Sequence, residues 1–75
     1  MAYKWTKNDI DVVRKYMREE NGKKAAVTRR MLELVPTLQK SKIAVAIEIA
    51  QAHINYEKGQ LPLAELGQFE TKLNL

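Results

Sequence analysis

From Ile43 to Ile54 the chain reads IAVAIEIAQAHI, and no other stretch restricts the fold as strongly. Wound as an α-helix, it puts Ile43, Ile47, Ala50 and Ile54 on one side and Val45, Ile49, Ala52 and Tyr56 nearly opposite. Only a narrow polar strip remains at Glu48, Gln51 and Asn55. A helix that is apolar on two faces is buried on two faces. The expected fold is therefore all-α, a compact three- to four-helix domain organised around a long central third helix. Other segments pack on one flank of that helix, and a terminal helix or a second subunit packs on the other.

The 75 residues are expected to form one domain, 1–75. A domain of this size buries only about 60% of the surface that its unfolded chain exposes. Small domains often compensate with disulfides, a metal or oligomerisation. With no cysteine and a single histidine, neither a disulfide nor a metal site is expected, which leaves a homodimer as the open route. The longest unbroken apolar run, Ile43 to Ile47, is far short of the ~20 residues of a membrane span, and no signal-peptide h-region is visible. A soluble, cytoplasmic protein without membrane contact is the expectation. The net charge of +4 is unevenly placed: residues 1–42 hold 11 Lys/Arg against 5 Asp/Glu, and residues 43–75 hold 2 against 4. A basic front half favours an anionic partner.

Taken in order, the chain predicts helices over about 7–20, 23–35, 38–58 and 62–73. Thr6 caps the first, Asp9 completes a capping box, and Trp5 with Ile10 forms a hydrophobic staple. Asn21-Gly22 ends that helix through a left-handed residue. The apolar side of the second helix is Val27, Met31, Leu34 and Val35, and Pro36 stops it. Glu33 lies within one turn of Arg29 and Arg30 and is expected to offset part of their charge. The third helix runs to Gly59. Pro62 starts a thin fourth helix carrying Leu63, Leu66, Phe69 and Leu73, weakened by Gly67.

No nucleophile stands beside a base, no glycine-rich phosphate loop is present, and the carboxylates Glu48, Glu57, Glu65 and Glu70 follow no acid/base pattern. The expectation is a protein that is not an enzyme, with no cofactor, no metal and no small-molecule substrate. His53 is expected at the margin of the core or on a contact surface. The basic residues carry more information. Arg14, Lys15 and Arg18 on helix one and Lys23, Lys24, Arg29 and Arg30 on helix two can share one face if the two helices are antiparallel, with Lys40 and Lys42 at the start of helix three.

Helix two, the short turn and helix three also have roughly the lengths of a helix-turn-helix. The opening Trp5-Thr6-Lys7-Asn8-Asp9 resembles the start of a Myb-like repeat. The later aromatics of that repeat have no counterpart, so the resemblance covers these few residues alone. From Ile43 onward helix three has too little polar surface to enter a groove.

Two readings compete. In the first the chain is a small, basic, DNA-binding regulator, a homodimer in which the seven cations of helices one and two neutralise phosphates and Gln39, Lys40 and Lys42 make closer contact. In the second it is a protein–protein interaction module, an adaptor or inhibitor docking through Val45, Ile49, Ala52 and Tyr56.

Overall fold

The computed structural model describes residues 3–75, arranged as α1 (Lys7–Glu19), α2 (Lys24–Leu34), α3 (Lys40–Glu57) and α4 (Leu63–Thr71). With no strand among the described residues, the domain is all-α. Among the described residues α3 is the only helix in contact with every other, while α4 packs on no helix but α3. At 1.5 Å per residue the 18 residues of α3 extend about 27 Å, close to the domain's middle dimension of 29 Å. The two-faced apolar pattern has its cause in this placement, because α1 and α2 lie against one side of α3 and α4 against another.

Local chemistry sets the boundaries. The Thr6 side chain accepts from the Asp9 N–H at 3.3 Å, and Asp9 Oδ2 accepts from the Thr6 N–H at 2.9 Å, a complete capping box at the start of α1. Trp5 and Ile10, the two ends of the staple, are both buried. At the other end of α1 the Gly22 N–H donates to Met17 O at 2.8 Å and the Asn21 N–H to Arg18 O at 3.4 Å, with Asn21 left-handed at φ 54°. This is a Schellman closure, and it recurs after α3, where Gly59 takes φ 74° and the Gln60 N–H reaches Asn55 O. A third copy, with Asn74 left-handed and the Leu75 N–H bonded to Glu70 O, closes the last turn that follows α4.

Trp5, Ile10, Val13, Met17, Val27, Met31, Leu38, Ile43, Ile47 and Ile49 lead the core. Three expectations change. Leu63, counted on the apolar stripe of the fourth helix, is the first residue of α4 and is 66% exposed. Leu38 does not start α3: it lies in the link after Pro36-Thr37, and its buried side chain ties that link to the core while α3 begins at Lys40. Leu34, expected on the apolar side of α2, is 56% exposed. It is the last residue of α2, and Val35 and Leu38 from the following link take the core positions beyond it.

Gly67 sits inside α4 with nothing within 4 Å of where a Cβ would stand. Ala at this position keeps the helix and loses less backbone entropy on folding. Gly67→Ala is expected to stabilise the domain by about 0.5–1 kcal/mol, a rise of several degrees in Tm by differential scanning calorimetry.

Candidate nucleic-acid interface

α1 presents these candidate cations in two directions. Lys15 and Arg18 point to solvent. Arg14, one turn before Arg18, turns toward α3: its guanidinium donates to Glu57 and lies 3.9 Å from Asp11 Oδ1, and its buried Nε has no partner. The Arg14 side chain is only 21% exposed. It is a clamp between α1 and the end of α3, not part of an open face.

Arg30 is engaged in a similar way from α2. It donates to Glu19 Oε1 at 2.6 Å and Glu20 Oε2 at 3.4 Å, and its guanidinium carbon lies 3.9 Å above the Tyr16 ring. Compensation expected from Glu33 comes instead from Glu19 and Glu20 at the end of α1, and Glu33 itself has no ion pair among the described residues. The bond from Arg30, ahead of the charges of Arg30, Lys15 and Arg18, holds the Glu19 carboxyl below its ordinary range. A depressed folded-state pKa contributes stability that is present above the unfolded carboxylate value and is lost as pH falls through the folded value. Acid melting curves are expected to show this loss at the low edge of the carboxylate range, and Arg30→Gln is expected to remove it.

Among the described residues, Arg14, Arg30 and Lys72 are the only members of the 13 Lys and Arg that lie within ion-pair distance of a carboxylate. Of the candidate cations on α1, the turn and α2, Lys15, Arg18, Lys23, Lys24 and Arg29 are left open, all exposed, and Lys7 at the first position of α1 is exposed and without a carboxylate partner among the described residues as well. Lys58, which spacing did not single out, borders a cavity of about 380 Å³ with Arg18 where α1 meets the end of α3. Lys40 and Lys42 stand elsewhere. They occupy the first turn of α3, which has no acidic residue and no side-chain cap. Lys42 lines a cleft with Lys4 and Lys72 that no basic residue of α1 or α2 borders. The nine expected cations therefore fall into an open set of five, a neutralised pair and a separate pair.

The second apolar face of α3 is occupied within the molecule. Ile49 is 0% and Ala52 3% exposed, and His53, one turn beyond Ile49, places Nε2 3.3 Å from Glu70 Oε2 of α4. Val45 is half-buried, and Tyr56 at 40% exposure is the one member of the four that reaches solvent freely. The polar strip of α3 stays open as the floor of a groove of about 380 Å³, walled by Met17 and Thr28 on one side and Leu61 and Phe69 on the other. Gln51 Nε2 donates to Asn55 Oδ1 at 3.0 Å along that floor.

Among the described residues no group of three or more His, Cys, Asp or Glu is placed to hold a metal ion, and no helix is long and apolar enough to cross a membrane. No family model, curated protein or solved structure matches the chain.

Proposed function

We propose that the protein is a small cytoplasmic nucleic-acid-binding regulator that acts by binding and not by catalysis, contacting the phosphates of duplex DNA through Lys15, Arg18, Lys23, Lys24 and Arg29. One observation carries the reading: among the described residues these five exposed cations have no carboxylate partner, although the chain holds nine acidic residues and uses several of them on Arg14, Arg30 and Lys72. Cations held by no internal partner are available to displace counterions from a polyanion. From Ile43 onward α3 leaves little more than a narrow polar strip open to solvent, so base reading is weak and a largely sequence-independent affinity is expected.

Binding to a random-sequence duplex, followed by fluorescence anisotropy across salt concentrations, tests this reading. If all five cations neutralise a phosphate, the log–log slope is about −4.5, and affinity falls about 500-fold between 50 and 200 mM salt. A slope near zero would overturn the reading. Homodimerisation through Val45, Ile49, Ala52 and Tyr56 is not part of the proposal, because α4 already lies against that side of α3.

A further inference from the structure

The N-terminal segment, the link into α3 and the turn after α4 enclose a cleft of about 660 Å³. This is within the range of small-molecule sites, roughly 300–1,000 Å³. Tyr3, Trp5, Lys4, Lys42, Gln39 and Asn74 contribute to its wall, and no carboxylate residue does. Lys72 also borders it, but Glu48 holds that ammonium at 3.3 Å, so the free positive charge comes from Lys4 and Lys42.

The aromatic wall is fixed in place. Tyr3 meets Trp5 edge-to-face, with ring centroids 5.3 Å apart and planes at 74°. The Tyr3 hydroxyl donates to Asp9 Oδ1 at 2.8 Å. Partial burial first, and then that bond and the Asp9 charge, raise the Tyr3 pKa above the ordinary phenol value, so the hydroxyl stays a donor. Asp9 is occupied by this bond and by the Thr6 N–H, and the Tyr3 ring remains 39% exposed.

A held aromatic ring beside two unpaired ammonium groups and two carboxamides matches a ligand that is flat and apolar at one end and anionic at the other. Stacking on an aromatic side chain recognises any base, ammonium groups recognise phosphate, and carboxamides can bond a base edge. We propose that this cleft binds a single phosphorylated nucleotide unit, of the kind presented by the unpaired end of a nucleic-acid strand, with the base against Tyr3 and the phosphate between Lys4 and Lys42. The proposal takes the source of the nucleotide from the nucleic-acid reading above, but uses none of the cations on which that reading rests.

Trp5 is the chain's only tryptophan and borders the cleft, so its emission reports occupancy directly. Titration with a nucleoside 5′-monophosphate, corrected for absorbance, is expected to give a saturable change in Trp5 emission. The parent nucleoside and inorganic phosphate should each respond only at much higher concentration. Tyr3→Ala is expected to weaken the nucleotide response about 5- to 150-fold, the range for losing one base stack. Lys42→Glu should weaken it too, and a carboxylate in the first turn of α3 favours the helix, so loss of folding does not confuse the result.

No saturable change up to millimolar nucleotide, or a response that Lys42→Glu leaves intact, would overturn the proposal. An equal response to inorganic phosphate would overturn the nucleotide assignment and leave a simple anion site. Duplex binding that persists without a Trp5 response sinks the cleft alone. A Trp5 response without salt-dependent duplex binding sinks the α1–α2 reading alone.

Discussion

Ile49→Asp is expected to abolish the folded state. Ile49 has no solvent exposure, and the substitution both removes its apolar side chain and places a carboxylate where no cation is paired to receive it. Deleting the side chain alone, as in Ile49→Ala, costs about 2–5 kcal/mol. A domain of this length has on the order of 4–11 kcal/mol in total. Adding a desolvated charge takes the loss beyond that margin. Circular dichroism at 222 nm should show a collapse of helicity for Ile49→Asp, and a cooperative but lowered melt for Ile49→Ala. If Ile49→Asp keeps its helicity and its melt, α4 is not docked over α3 as described, and the second face of α3 becomes available to a partner.

The second large effect is on binding. Arg18→Glu, Lys24→Glu and Arg29→Glu combined reverse three exposed charges on α1 and α2. Their combined loss is expected to flatten the salt slope on duplex DNA by about 2.7 and to reduce binding to the limit of detection at moderate salt. Helicity should survive, since all three side chains are exposed and Lys24→Glu puts a negative charge in the first turn of α2, where the helix dipole favours it. The informative comparison is Arg14→Gln with Arg30→Gln. Both arginines belong to the same basic cluster in the sequence, but each already faces a carboxylate from another helix. This pair is expected to lower stability and to leave the salt slope almost unchanged. Equal loss of binding from the two sets would show that the internal ion pairs open to receive DNA.

What could be read from the sequence, and what could not, divides by range. Thr6 with Asp9, the Asn21-Gly22 stop, Pro36 and Gly59 act within a few residues of themselves, so every end of the four helices could be placed to within two residues of where it lies. The two apolar faces of α3 follow from the period of one helix, and so does its central position. These are properties of a short stretch of chain and need no knowledge of its neighbours.

The charge pattern behaves differently. Arg14 and Glu57 are 43 positions apart, and Arg30 and Glu19 are 11 apart. Which cation is neutralised depends on the crossing of α1 over α3 and on the pairing of α1 with α2, and no spacing encodes either. In the same way Lys4, Lys42 and Lys72 meet at one cleft only because residues 3–5 and 72–74 come together beside the start of α3. By itself, then, the sequence determined an all-α chain wound around one helix with two apolar faces, because capping and periodicity are local. Tertiary structure alone decided that α4 would occupy the second of those faces, that two of the nine candidate cations would be neutralised, and that a basic, aromatic cleft would form between distant segments. Each of these depends on how the helices pack side by side, and Coulomb and packing energies are set by distance in space and not by position along the chain.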